Sequence, residues 1–416
     1  MPTESRPSMS SGTTVLMLAL LLGIQPIATD LYLPALPAMT AGFAAPMHQA
    51  QLTLSALLLA FGVSQLVWGP LSDRFGRRPV LLWGVSAFTL ASIGCVFAQS
   101  MEQLVVWRCV QGGAMGAAVM CARAIVRDLY APAEGARMMS KGLTGLGVLA
   151  CLSAPLGGLL SEWFGWRTTL SALAVFGGAT LTVVAWRFHE TLPKRNPRAL
   201  EPREMLRIWH GIVRHPTYWT FTLLAAASYC GLYTFLATSS FVFINVLGLG
   251  KTQYGLLMLS MSLCYITGTV LCRRLIPRLG VRRTVAIAAG FTLAGGSTLG
   301  VLAWLGWQNT WAIMLPYYLF IMAHGVHQPC GQSGAVSPFP QAAGAASALS
   351  GFSMMVAAFL MGTWLGGSLT PEAGVLPLTN GLWFWSVVIA AVAWTLAQRY
   401  GEAHTPPQPV VRPAAP

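Results

Sequence analysis

Residues 51–98 read QLTLSALLLAFGVSQLVWGPLSDRFGRRPVLLWGVSAFTLASIGCVFA. Two uncharged apolar runs flank the short stretch Leu71–Arg78, which carries Asp73, Arg74, Arg77 and Arg78. At about 1.5 Å per residue, each run is long enough to cross roughly 30 Å of hydrocarbon. Backbone amides find no water there, so each run must close its hydrogen bonds within a helix. A membrane barrel would show short alternating segments instead. The stretch therefore reads as two membrane helices joined by a tight charged turn.

The same pattern repeats along the 416 residues. Twelve spans are predicted, near 14–36, 51–70, 79–98, 103–126, 142–161, 167–187, 218–245, 253–272, 284–305, 311–331, 343–366 and 378–398. The composition agrees: 55% of residues are hydrophobic and 9% charged, against about 25% charged in an average soluble domain. That excludes an ordinary soluble fold, and the high hydrophobicity excludes disorder.

The net charge of +13 follows from topology. If the N-terminus is cytoplasmic, twenty-one Lys and Arg fall in inside segments and two, Arg167 and Lys251, fall outside. Arg108 and Arg123 lie within the fourth span. This asymmetry obeys the positive-inside rule and puts both termini in the cytoplasm. Nucleic-acid binding is not needed to explain the basic pI. The longest loop divides the spans six and six, giving halves over 1–187 and 218–399, a cytoplasmic loop over 188–217 and a disordered tail over 400–416. A weak internal repeat supports duplication: Leu71–Arg78 after the second span is echoed by Leu275–Arg283 after the eighth. The eight cysteines form no CxxC pair, so no metal site is indicated. A GxxxxGKS loop for ATP is absent, no nucleophile–base pair stands out, and no cofactor is expected.

Gly69–Arg78 (GPLSDRFGRR) resembles the loop signature of the major facilitator superfamily. Asp30–Pro37 (DLYLPALP), Arg108–Gly112 (RCVQG), Pro155–Gly158 (PLGG), Arg127–Tyr130 (RDLY) and His189–Pro193 (HETLP) narrow the resemblance to the Bcr/CflA drug-resistance branch. The resemblance implies an all-α membrane fold of two six-helix bundles around a central cavity. It also implies a monomeric, proton-coupled exporter of bicyclomycin- or chloramphenicol-type molecules in the bacterial inner membrane. A dedicated exporter of an amino acid or dipeptide is the alternative.

Intramembrane charges cost about 2.5–3.5 kcal/mol each and are functional by default. Asp30, the one carboxylate well inside a span, lies in the outer half of the first; Arg108 lies at similar depth in the fourth. The two could face each other across the N-terminal bundle. Desolvation disfavours a carboxylate and a guanidinium favours it, so alternation between these surroundings would load and release a proton. Asp30 is thus the expected proton carrier and Arg108 the partner that tunes it; a fixed structural pair or a substrate contact competes with that reading. Arg123 could snorkel to the cytoplasmic interface or meet substrate. His324 and His327 share a helix face and could relay protons, hold a metal, line the cavity or pack.

Further cavity candidates are Tyr32, Gln111, Tyr229, Tyr233, Phe235, Met258, Met261 and Tyr265, because aromatic and Met surfaces repack around different ligands. For any one of them, lipid-facing or interhelix packing is the competing role. By resemblance, Gly69, Asp73, Arg74, Gly76, Arg77, Arg78, Arg127 and Asp128 form a cytoplasmic gate, with Asp73 facing a helix of the second half. Gly147, Pro155, Gly157 and Gly158 occupy the antiporter-motif position, where close packing alone would also explain the glycines.

Overall fold

The computed structural model describes residues 10–401, apart from 131, 193, 194, 198 and 371. The described residues form an all-helical molecule. Its first half contains α1 (Ser11–Asp30), α2 (Leu36–Gly42), α3 (Met47–Phe75), α4 (Arg77–Val96), α5 (Met101–Leu129), α6 (Pro132–Trp163) and α7 (Trp166–Arg187). The second contains α9 (Pro216–Ser240), α10 (Lys251–Trp304), α11 (Thr310–Val336), α12 (Ala343–Ser368), α13 (Leu376–Trp394) and α14 (Leu396–Tyr400). Between them lies α8 (Pro202–Val213).

Helix starts follow capping chemistry. Ser10, Ser100 and Asn309 accept the N–H groups of Thr13, Gln103 and Ala312 at the heads of α1, α5 and α11. The proposed first span breaks after Asp30 into a 3-10 turn, Leu33–Ala35, followed by α2. Pro34 and Pro37 account for the break, since neither can donate to a continuing helix. The eighth and ninth spans run together as α10, but Gly280 interrupts it with φ 73° and ψ 170°. That left-handed backbone suits glycine and turns the chain back between two spans. The span read over 142–161 extends back to Pro132. The loop read over 188–217 holds α8, whose Met205, Trp209 and Ile212 lie towards the protein at helical spacing. The expected tail, from residue 402 on, lies outside the described residues.

Among the described residues, ten helical stretches are long and apolar enough to cross a membrane, one of them the doubled α10. Counting α10 twice and adding the 27-residue α11 gives twelve spans. Polar residues, among them His324, His327, Gln328 and Gln332, dilute the apolarity of α11.

Within the first half, α3 and α4 pack on α5, and α1 packs on α6. Within the second, α11 and α13 pack on α10, while α9 touches α11, α12 and α13. The halves meet along two seams, α3 with α12 and α6 with α10.

Gly280→Val forces a β-branched residue into a left-handed backbone, at a cost of about 1–2 kcal/mol. We expect a lower thermal unfolding midpoint in detergent. Gly290→Val, at a helical glycine with open space around its Cα, should leave that midpoint nearly unchanged.

Candidate functional site

Asp30 ends α1 and is half-buried. Its carboxylate accepts a 2.7 Å hydrogen bond from the Thr29 hydroxyl. Tyr229 of α9 and Tyr254 of α10 lie within electrostatic range of it, and Tyr229 also lies beside Gln25. Asp30 therefore faces the second half of the molecule.

Arg108 faces the other way. It is fully buried inside the first half. Its guanidinium donates to the Ala28 carbonyl at 2.8 Å and to Gln111 Oε1 at 2.5 Å, and sits 4.3 Å from the Tyr32 ring centroid. Gln111 in turn donates to Ser92 Oγ at 2.6 Å, and the Tyr32 hydroxyl bonds Thr53. No Asp30–Arg108 ion pair forms, which corrects the expected face-to-face pairing. The two share a depth, but Arg108 grips the backbone of α1 two residues before Asp30 while the carboxylate points across the seam.

The expected cavity residues divide similarly. Tyr229 lies at the seam, and Tyr233 bonds Ser55 of α3 across it at 2.6 Å. Tyr32 and Gln111 belong to the Arg108 cluster inside the first half. Phe235 stacks on Tyr317 of α11 at 3.8 Å, inside the second half. Met258 and Met261 are buried, and Tyr265 lies 5.7 Å from the His324 ring. His324 Nδ1 meets Ser228 Oγ of α9 at 2.8 Å. His327 Nε2 instead meets Thr292 Oγ1, beyond the Gly280 turn, at 3.1 Å. One helix face thus serves two different neighbours, and the pair does not converge on a shared ligand.

The cluster expected at the gate is built around Arg77. Its guanidinium donates to Asp128 Oδ2 at 2.8 Å, Asp73 Oδ1 at 2.6 Å and Ser72 Oγ at 2.7 Å. Gly76 adopts φ 107°, and a Cβ there would strike the Glu190 carboxylate. Glu190 accepts the backbone N–H groups of Arg77 and Arg78 at 2.9 and 3.1 Å, capping α4 from the chain after α7. The resemblance singled out its stretch but gave Glu190 no role; an acid just beyond a span was the available signal. Arg78 donates to the Ala185 carbonyl at 3.1 Å, and Arg74 is exposed beside Phe75.

These bonds tie α3, α4, α5 and the segment after α7 within the first half. Among the described residues, Asp73 makes no ion pair to the second half; its second cation is Arg127, at 3.9 Å. Asp73 thus differs from the expected cross-half contact. Arg127 itself approaches Gly344, at the start of α12. Gly69 faces the Met120 side chain.

Just beyond the end of α1, a Cβ on Gly157 would strike the Leu31 carbonyl, and at the α6–α10 seam one on Gly158 would crowd the Lys251 carbonyl. Pro155 and Ala154 lie against Gly255 of α10. Close approach therefore accounts for Gly157 and Gly158, but Gly147 has open space and no packing constraint. Two further seam residues, Glu162 and Arg123, were not among the expected site residues. Glu162 Oε2 accepts Thr252 N at 2.9 Å and Thr252 Oγ1 at 2.5 Å. Arg123 Nη1 donates to Ser347 Oγ of α12 at 2.8 Å, which holds the side chain across the seam between the halves.

Two helical halves in a membrane, joined along two seams with a carboxylate facing across them, define a polytopic transporter scaffold. Residues 18–363 match the family model described as Major Facilitator Superfamily, and the chain belongs to that family. It is 32% identical over 340 residues to Multidrug resistance protein D of Escherichia coli (strain K12), covering 81% of this chain and 84% of the relative. It is 28% identical over 342 residues to a Chloramphenicol resistance protein of Pseudomonas aeruginosa, covering 82% and 80%. The crystal structure of a D-xylose-proton symporter superposes with a TM-score of 0.74 at 16% identity, covering 92% of this chain and 96% of that one; it supports the fold alone.

Arg77→Ala strands the buried carboxylate of Asp128, and breaking such a pair costs about 3–5 kcal/mol. We expect a marked loss of thermal stability in detergent, and Arg77→Ala with Asp128→Ala should recover part of it. Equal additive losses would show that the two residues do not interact.

Proposed function

We propose that the protein is a proton-coupled exporter of drug-like small molecules, working by alternating access in the bacterial inner membrane with both termini cytoplasmic. The observation that carries this reading is Asp30: a half-buried carboxylate on the seam, facing tyrosines of the opposite half. Relatives named for multidrug and chloramphenicol resistance support the substrate class.

Asp30 changes surroundings when the halves rock. With the outer side open, it takes a proton from the periplasm as the drug leaves. With the inner side open, it gives the proton to the cytoplasm as the next drug binds. Arg108 acts as a positioning residue: its bond to the Ala28 carbonyl holds the end of α1, and so the carboxylate, in place.

The outer seam must open and reclose in each cycle. Gln51 donates to the Ala237 carbonyl at 3.1 Å, Tyr233 meets Ser55, Lys251 Nζ donates to the Ser161 carbonyl at 3.2 Å, and Glu162 caps α10. The two neutral bonds are worth about 0.5–1.5 kcal/mol each and the two that use Lys251 and Glu162 about 1.5–3, small enough to exchange for water. The Arg77 cluster keeps the cytoplasmic ends of the first half together as one moving body.

Asp30→Asn should abolish export against a drug gradient in proteoliposomes while leaving downhill drug exchange within a few fold. Screening phenicols, bicyclomycin and dipeptides identifies the substrate. Uphill export by Asp30→Asn at the wild-type rate would remove Asp30 from coupling, and a flat response to every compound would remove the drug-exporter reading. Gly158→Leu should lower transport at least about tenfold with normal membrane insertion, because the added side chain meets the Lys251 backbone and props the outer seam apart.

A further inference from the structure

Three arginines, 77, 108 and 123, lie among the helices with much or all of their surface buried, and two of them are met on several sides. Arg77 has Asp73, Asp128 and Ser72; Arg108 has a carbonyl, an amide oxygen and an aromatic face. Arg123 differs. Its hydrogen bond goes to one neutral hydroxyl, Ser347 Oγ, and among the described residues no acid pairs with it. That bond joins α5 of one half to α12 of the other on the cytoplasmic side. Among the described residues it is the cross-half side-chain bond on that side, whereas the outer side has several.

Inward opening must part Arg123 from Ser347. The guanidinium then lines the seam through which a cytoplasmic molecule enters. Arg127, one turn further along α5, adds a second positive charge near the same end of α12. The acids nearest this end of α5, Asp73 and Asp128, already face Arg77 and, for Asp73, Arg127 at 3.9 Å. Asp30 is further away along the seam. Arg108, which bonds the backbone beside Asp30, precedes Arg123 by 15 residues, or about 22 Å of helix. That exceeds the roughly 8 Å Debye length at physiological ionic strength, so Asp30 does not offset the charge at the entrance.

We infer that Arg123 sets the charge class of the exported substrate: neutral and anionic molecules enter from the cytoplasm, and cations are turned away. This rests on the exporter reading above. A cation passing the guanidinium meets like-charge repulsion in a partly desolvated seam, where such repulsion is strongest. An uncharged drug does not, and an anionic group can replace Ser347 as acceptor and gain a charge-assisted bond.

The test uses full-length protein in inside-out proteoliposomes with chloramphenicol as the neutral probe, fusidate as the anion and tetraphenylphosphonium as the cation. Wild type and Arg123→Lys should move the first two and move the cation poorly. Arg123→Gln should raise the cation-to-neutral rate ratio at least about tenfold, the factor given by about 1.4 kcal/mol. Ser347→Ala keeps the charge and removes the bond, so it should keep cation exclusion; a ratio that rises there as in Arg123→Gln would overturn the proposal in favour of a structural latch. An unchanged ratio in Arg123→Gln, or wild type that moves the cation as readily as the neutral probe, overturns it as well. The same probes are also titrated against purified protein by thermal shift. Absence of transport for all three sinks the exporter reading, and stabilisation by the cation equal to that by the neutral probe then sinks the charge preference separately.

Discussion

A charge held in hydrocarbon costs free energy unless something nearby meets it, and the arrangement of this molecule follows from how each one is met. Arg77 is met by two acids and a hydroxyl, which fasten the ends of three helices together. Arg108 is met by a carbonyl, an amide and a ring, which fix the outer end of α1. Those two arginines are spent on structure. Asp30 and Arg123 are met by single neutral hydroxyls close to or across the seams between the halves. A weakly met charge at a seam is free to change partners when the seam opens, and that is the property a transporter needs.

The seams depend on small residues where the halves touch. Gly158 and Gly255 let the backbones of α6 and α10 come within reach of one another, and Gly157 lets α6 approach the Leu31 carbonyl within the first half. Glu162 then caps α10 from the end of α6, so an acid of one half completes a helix terminus of the other. On the opposite seam, α3 and α12 run together from Gln51, which bonds the end of α9, towards Ser347. Among the described residues, several cross-half bonds lie towards the Glu162 end of the seams, and one, from the cation Arg123, towards the other.

Span number and the depth of Asp30 and Arg108 were legible in the sequence, because hydropathy and residue counting report position along a helix axis. Direction around the axis was not. Successive helical residues turn by about 100°, so a small error in register moves a side chain from one neighbour to another. Asp30 and Arg108 were placed at one depth correctly and face opposite ways; His324 and His327, three residues apart, serve different helices. Phe235 read as either a cavity or a packing residue, and it stacks on Tyr317. Glu190 and Glu162 escaped assignment, and the partner of Arg123 was not foreseen, because each is defined by what it meets far along the chain. The resemblance located the Arg77 cluster well but aimed Asp73 at the second half, whereas its ion pairs stay within the first.

The central claim is that Asp30 exchanges its proton as substrate binds. It is tested most directly by proton release from purified protein in unbuffered detergent solution, read with a pH dye as a transported drug is added. The account predicts about one proton released per drug bound by the wild type and none by Asp30→Asn at matched occupancy. Equal release from both proteins would contradict it.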